Sequence, residues 1–486
     1  MKRKLRIFSN IAIICLSVCM FAFGVYAAST VSVTTSGTVT FSATGVYAEV
    51  TRTITGAKNA PSSTTVSIDA SAAENAEYPM NADLEFEDGD TLLTISFEID
   101  NKATDRCMYV TLQEGDSTMV NNNVEQVAEY LNTEIMISAS ESKTINIYLY
   151  VKDSNKSATA TYDYKMSLKS TTAGTVLTEN DVELEDNHDG TCTINKITST
   201  ASHITIPEKI GEYTVAKLYT SSSNIFGEAY YSSDTNTTLQ HITMPNNIEI
   251  EEYSGPVFAG CKSLKYIAIP ESWECLAMET FKNTIIETLV LPKIEVIEGY
   301  SLSSTKLTTL IIPESVTVMS DAICTTDWYS IKLTIYKGSV NDWATKISDK
   351  DTDGGYPAID DNLFCDGRRV HGDITLSGET IRTSAFHGFE TIKTVTFTDT
   401  VKTIKDYAFS SCKNITLVIM PTSITKIGTC AFYFSGYSFD INYSGTKEQF
   451  LAIDMDYSSM AIGSVSVVHC TDGDLTVEEL DQHYNA

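Results

Sequence analysis

Positive charge is what this chain has least of. Across 486 residues, 34 Lys and Arg face 63 Asp and Glu, a formal net charge of -29 at pH 7. A surface that acidic repels phosphate backbones and anionic lipid, so nucleic acid is excluded as a partner and a soluble extracellular protein, able to collect cations, is favoured. Cysteine is sparse and irregular. Two of the 11 lie in the first 27 residues, and the other nine (Cys107, Cys192, Cys261, Cys275, Cys324, Cys365, Cys412, Cys430, Cys470) form no CxxC pair. That leaves zinc nothing to rest on and argues against a full disulfide framework. Histidine is thin as well. The seven (His188, His203, His241, His371, His387, His469, His483) are scattered, and neither HExxH nor GxSxG occurs. Carboxylates are so common that no pair stands out, so no catalytic residue is assigned and the reading is non-enzymatic.

Long apolar runs are missing too, except at the start. Lys2, Arg3, Lys4 and Arg6 precede an apolar run from Ile11 to Val25, and Val25-Tyr26-Ala27 puts small residues before Ala28. Residues 1–27 read as a secretory signal, the run being shorter than the roughly 20 residues a membrane span needs. Its removal leaves 30 basic against 63 acidic residues, about -33. No other segment is apolar enough to cross a membrane, so no integral membrane domain is expected after signal removal, and the protein is expected outside the cell.

From residue 28 to 169 the pattern has period two. STVSVTTSGTVTFSATGVYAEVTRTIT, LLTISFEID, CMYVTLQE, TINIYLYV and TATYDYKMSL alternate apolar residues with Thr and Ser. Half-buried strands separated by Gly, Asn and Asp predict a β-sandwich, with one helix-like patch at Asn121 to Asn132. In its post-leader strand and its strand end at Asn101, this half resembles the camelysin and TasA type of secreted matrix domain. Residues 170–178 are small and polar, as in a linker.

Beyond the linker the chain repeats itself. IKTVTFTDTVKTIKDYAFSSCKN from Ile392 and ITLVIMPTSITKIGTCAFYFSGY from Ile415 carry seven apolar positions in one register, 23 residues apart. The register runs back through LQHITMP, LKYIAIP, IETLVLP, LTTLIIP, IKLTIYK and GDITLSG. Its central aliphatics are Ile242, Ile267, Leu289, Leu310, Leu333, Ile374, Val395, Val418 and Ile441, with steps of 25, 22, 21, 23, 41, 21, 23 and 23. The Phe of Ala-Phe recurs as Phe258, Phe281, Phe386, Phe409 and Phe432, with Leu302 and Ile323 in its place in two units. A unit this short cannot bury its apolar face alone, so stacking is required, and the period lies within the roughly 20–29 residues of leucine-rich repeats.

In its LxxIxIP, VxxI and AFxxC signatures, with Phe258-Ala-Gly-Cys261 and Phe409-Ser-Ser-Cys412 matching the last, the stretch from about Asn187 to Cys470 resembles the BspA-like leucine-rich repeat surface proteins. The resemblance implies adhesion to matrix proteins and other cells. The leader and repeat style suggest a Gram-positive bacterium.

The array is expected to span 179–470. A hairpin cap at 187–220 turns at Asp189-Gly190, and an insertion at 336–372 holds a hairpin around Asp366-Gly367. Tyr336-Lys-Gly338 and Trp343 are echoed 107 positions on by Tyr443-Ser-Gly445 and Phe450, so a larger module is used twice. Residues 471–486 read as an acidic tail. Cys261 and Cys412, at equivalent positions, are expected inward as small buried hydrophobes.

Two candidate sites follow. Residues flanking the inward aliphatics of LxxIxI must face out, so stacking aligns His241, Tyr266, Thr288, Thr309, Thr394 and Leu417 in one row. Thr243, Ala268, Val290, Ile311, Thr334, Thr375, Thr396 and Ile419 form a second. With Tyr266, Val290, Ile311 and Ile419 exposed, this is a flat, mildly apolar docking face for an extracellular protein or glycan; the plainer reading is that Thr and Val are good strand formers. Separately, Asp349, Asp351, Asp353, Gly354 and Asp360 have the spacing of a calcium loop, although Asp360 stands where Glu is usual and Pro357 interrupts it. A solvated acidic loop is the alternative, and no other cofactor is expected.

The chain thus reads as a mainly β protein, a β-sandwich followed by a repeat solenoid, with adhesin-like binding as its function. A fibre subunit self-assembling through the sandwich is the alternative.

Overall fold

The computed structural model of the protein describes residues 31–484 apart from 43–46, 69–76, 105, 116–122, 154–155, 157, 172–174, 220–223, 227–235, 251–255, 304, 320–330, 348–361, 434, 436–437, 456–457 and 460–464. The leader, 1–27, lies outside the described residues.

Alternating residues make the first half. Its strands are β1 (Val31–Ser42), β2 (Ala48–Thr55), β3 (Thr64–Ile68), β4 (Glu77–Pro79), β5 (Ala82–Glu85), β6 (Leu93–Asn101), β7 (Cys107–Glu114), β8 (Val124–Ala128), β9 (Glu134–Ile137), β10 (Ser142–Val151) and β11 (Ala158–Thr171). One sheet runs β4-β1-β11-β7-β9, with β5 also on β1; the other runs β3-β2-β6-β10-β8. Their apolar faces share one core in which Val33, Val50, Phe97, Val110, Ile147 and Leu168 are fully buried, and Phe97 of β6 meets Tyr164 of β11 edge-on at 5.2 Å. Buried Asn101 ties off the end of β6. Its amide donates to the carbonyls of Arg106, Ile137 and Ser138 at 3.0, 3.2 and 2.9 Å.

Among its described residues, the helix-like patch is not a helix. Val124–Ala128 is β8, paired antiparallel with β10 from Ile147↔Ala128 to Val151↔Val124. A short segment of mixed spacing goes where a free sheet edge offers it hydrogen bonds, and tertiary context overrides its weak local preference. The polar linker also carries structure, since Thr175–Val176 pairs in parallel with His203–Thr205.

In the second half every unit contributes a short strand to a parallel ladder. Thr175–Val176, His203–Thr205, His241–Thr243 and Tyr266–Ile267 form one sheet. Thr288–Val290, Thr309–Ile312, Leu333–Tyr336 and Leu363–Cys365, closed by Arg368–Arg369, form a second. A third comprises Gly372–Leu376, Ile392–Phe397, Leu417–Met420, Phe439–Tyr443 and Val465–Cys470, closed by Gly473–Thr476. The expected hairpin at Asp189-Gly190 joins Val182–Asp186 to Thr191–Ile197.

A continuous apolar core runs through the array from Leu177 to Leu480. The repeated Phe forms a stack inside it: Phe386–Phe409 at 5.3 Å and Phe409–Phe432 at 5.2 Å, their rings 18° and 9° from parallel, with Phe258–Phe281 at 5.9 Å. The turns around Phe281, Phe386 and Phe409 are bracketed by left-handed backbone on both sides, and others of the series on one side. Two positions before the repeated position stand Glu279, Tyr300, Ser384, Tyr407 and Cys430, and two after it Gly260, Asn283, Gly388 and Ser411, all with positive φ. The turn is held from outside, because Phe281, Phe386 and Phe409 donate their amides to Ser301, Ala408 and Ala431 of the next unit. Such bonds between units offset a conformation that disfavours side chains.

Cys261 and Cys412 point inward and are fully buried, and no disulfide joins the described cysteines. A further inter-unit ladder has its own signature, Pro-x-Ser. Ser315 and Ser423 donate to the carbonyls of Ile294 and Val401 at 2.8 Å, and Ser272 does the same to Ile248.

The larger module folds alike in both copies. A strand ending at Tyr336 or Tyr443 leads to a short helix, Val340–Thr345 or Lys447–Leu451, then to a further parallel strand and a hairpin that ends the sheet. In the first copy Trp343 donates its indole N–H to Ala385 at 2.9 Å, and Arg382 lies over its ring at 5.1 Å. The presumed acidic tail is part of this closure. Gly473–Thr476 pairs with Val465–Cys470, Val477–Tyr484 is a helix, and Leu475 and Leu480 are buried in the array core. Thr476 and Glu479 cap that helix reciprocally, the T-x-x-E signature of a helix start.

Candidate binding face

The outward rows of the ladder do not form one open face. In the first two sheets they are covered by the first half of the same chain. His241 is 5% exposed, Tyr266 2%, Thr288 5%, Thr309 0% and Ile311 2%, and Val290 is half-buried. Tyr266, Ala268 and Val290 belong to the apolar cluster of the first half, and Tyr266 meets Tyr130 edge-on at 5.2 Å. Further along, Leu92, Val127, Tyr148 and Tyr150 pack on Ile311, Leu333, Ile335 and Phe364. The expected exposure of Tyr266 and Ile311 is therefore corrected: strand residues facing outward carry apolar side chains here because a second sheet lies on them.

The same cover reverses one assignment of facing. Leu333 pairs with Thr309 and Ile335 with Ile311, so both face out, while Thr334 pairs with Leu310 and faces in. Leu333, read as an inward aliphatic, belongs instead to the cluster against the first half.

Polar contacts lock the two halves. Tyr130 donates its amide to Thr288 Oγ1 at 3.4 Å, and the Tyr150 hydroxyl donates to the Lys332 carbonyl at 3.1 Å. The hairpin at Asp366-Gly367, where both residues have positive φ, reaches furthest. Leu92 donates to the Gly367 carbonyl, and the Arg369 amide donates to the Asp90 carbonyl, both at 2.9 Å. The Arg369 guanidinium donates to the carbonyls of Val151 and Lys152, and Arg368 pairs with Asp88 at 3.0 Å. Burial would raise Asp88, but hydrogen bonds from Thr91 and Asp90 and the Arg368 cation outweigh it and hold the carboxyl below its usual range.

At the start of the covered region His203 and His241 stack at 4.3 Å, 12° from parallel, with Tyr109 against His203 at 5.6 Å. Burial, then His203 and Lys265, pushes His241 down to about 3. Burial also lowers His203, with Glu134 opposing it. A His held neutral when folded and free to protonate when unfolded removes stability as pH falls from about 6.5 toward 3. The loss from His241 is about 2 kcal/mol at pH 5. Urea unfolding of wild type and His241→Phe at pH 7 and pH 5 measures it, and the variant is expected to lose less between the two.

The third sheet is different. Asp373, Thr394, Leu417, Asp440 and Val467 align as one outward row, and Thr375, Thr396, Ile419, Asn442 and His469 as the other. Asp373, Thr375, Asn442 and His469 are exposed, the rest half-buried. Among the described residues, the apolar clusters joining the two halves stop at Phe364. Of the candidate residues, Thr394, Thr396 and Ile419 thus lie together on open sheet, apart from the covered six. Asp373, Asp440 and Asn442 extend the rows, and their place was legible from the LxxIxI register. A cleft of about 350 Å³ opens at the head of this face, lined by Asp90, Arg369, His371 and Asp373 among others.

Asp349, Asp351, Asp353 and Asp360 lie outside the described residues. Among the described residues no group of three or more His, Cys, Asp or Glu could hold a metal ion, and no helix is long and apolar enough to cross a membrane.

Parallel strands recurring about every 22 residues over a continuous apolar core define a leucine-rich repeat solenoid. Residues 224–347 and 358–450 match the BspA type leucine rich repeat region in six copies. Similar solved structures include a leucine rich cell surface protein from Faecalibacterium prausnitzii, 19% identical over 58% of this chain and 97% of that one, TM-score 0.26. A leucine-rich repeat protein from Bacteroides ovatus is 16% identical over 57% and 97%, TM-score 0.27, and the pneumococcal vaccine antigen PcpA 14% over 57% and 83%, TM-score 0.30. No curated protein matches the chain.

Proposed function

We propose that the chain is a secreted protein of the cell surface that binds other proteins or glycans, in the manner of an adhesin and without catalysis, through the open outward face of its third sheet. The observation that carries this reading is the contrast between the two parts of the ladder. Where the rows carry Tyr266, Val290, Ile311, Leu333 and Ile335, the chain's own first half covers them, with His241, Thr288 and Thr309 among them; where they carry Asp373, Thr394, Leu417, Ile419 and Asn442, they stay open. A flat face with modest apolar content suits a macromolecular contact better than a small-molecule pocket. The leader-like start and the repeat family agree with this placement. In the fibre-subunit alternative the first half assembles with other copies, but here part of its surface is already engaged by the array.

The test is binding of the secreted chain to a panel of extracellular matrix proteins and glycans, against a variant carrying Thr396→Asp and Ile419→Asp. Saturable binding that falls at least tenfold in the variant, with unchanged unfolding, supports the reading. Binding that the variant leaves intact removes the open face as the site, and no binding to any member of the panel counts against adhesion.

A further inference from the structure

The open face carries a charge pattern that selects among partners. In the outer row, Asp373, Thr394, Leu417 and Asp440 stand on four consecutive strands, so an apolar side chain lies between two carboxylates. Neither carboxylate is joined to a cation in a salt bridge among the described residues. With adjacent strands about 4.8 Å apart, Asp373 and Asp440 are about 14 Å from each other. An extended peptide advances about 3.4 Å per residue and shows every second side chain on one side. Residues i and i+4 therefore span about 14 Å, with i+2 between them.

We propose that the open face receives an extended segment of another protein with the pattern basic-x-apolar-x-basic, laid across the strands so that its basic residues meet Asp373 and Asp440 and its apolar residue falls between Thr394 and Leu417. This rests on the binding reading above and names the partner class for the same face. Four features support this occupant. The face carries acid at the positions the pattern needs. The cleft beside Asp373 leaves room for the first basic side chain; Asp90 and Asp366 line it together with Arg368 and Arg369, whose guanidinium groups are engaged by Asp88 and by the carbonyls of Val151 and Lys152. The head of the face adjoins the contact with the chain's first half, where His371 Nδ1 lies 3.3 Å from Asp90 Oδ1. The net charge of -29 steers a basic segment toward the molecule before contact.

The experiment titrates the secreted chain with a fluorescein-labelled nine-residue peptide, GSKTLTKSG, beside the charge-reversed GSETLTESG and the respaced GSKKTLTSG. Binding of the first alone, weakened at least tenfold by Asp373→Asn with Asp440→Asn and by raising salt from about 50 mM to about 500 mM, is expected. Equal binding of the respaced peptide, no binding, or binding unchanged in the double variant overturns the proposal. The panel of the previous section separates the two readings. Matrix or glycan binding lost with Ile419→Asp but intact in the Asp373→Asn, Asp440→Asn variant leaves the face as a site and removes the basic segment. Concentration-dependent dimers abolished by the double variant place a second copy on the face and also overturn it.

Discussion

Truncating Phe409 to alanine will destabilise the array by about 3–5 kcal/mol, the range for a fully buried Phe whose cavity cannot close. The site offers little room to relax. Phe409 is held between Phe386 and Phe432 at 5.3 and 5.2 Å and is met edge-on by Phe397 at 5.8 Å. Its backbone is fixed too, since its amide donates to Ala431 at 2.7 Å and its turn is bracketed by left-handed Tyr407 and Ser411. Collapse into the gap would have to move three units together. In a solenoid, stability is a sum of unit terms and neighbour terms, so the substitution removes two neighbour terms at once. Urea unfolding followed by tryptophan fluorescence measures the loss. Phe409→Leu, which refills much of the volume, should cost less than half as much. Equal losses for the two would mean that ring stacking rather than filled volume holds the units together.

The second large effect separates two isoleucines in one ladder row. Ile311→Asp places a carboxylate beneath Leu92, Val127, Tyr148 and Tyr150, a loss of about 3–5 kcal/mol for an unpaired buried charge. The protein can avoid that loss by releasing its first half from the array, so limited proteolysis should cut between the halves faster in the variant. Ile419→Asp, on the open part of the same row, should change stability by less than about 1 kcal/mol. Thermal unfolding of the two variants side by side reads the difference. If both were tolerated equally, the halves would not be packed on each other in solution.

Much of the architecture was legible because it is local or repeated. The period-two strands, the register of Ile242 to Ile441, the hairpins at Asp189 and Asp366 and the twice-used module each leave a signal that recurs or that only a few residues satisfy. What was hidden depends on a surface meeting another surface. Tyr266 and Ile311 face outward as the pattern demands, yet a strand position facing out says nothing of what lies beyond it. Leu333 shows the same limit more sharply: with both faces of its strand buried, the outward Leu333 and Ile335 are the more apolar set and the inward Thr334 the more polar one, so parity no longer tells inside from outside. Val124–Ala128 became a strand because β10 offered it an edge, a long-range fact. The closing helix did have a local signal, Thr476 with Glu479, outweighed by the acidity around it. The ladder register aligns the expected rows except at Thr334, which faces inward, and leaves Thr394, Thr396 and Ile419 on the open part.

The module that ends the third sheet also stands inside the array, where it ends the second. A stack that carries its terminator within itself can lengthen or shorten by whole units of 107 residues, the distance from Tyr336 to Tyr443, without leaving a raw apolar end. Growth by duplication is then cheap for the fold, and each added unit brings a fresh stretch of ladder beyond the reach of the first half. Reach and recognition surface grow together, while the part that anchors the array to its own N-terminal half stays the same.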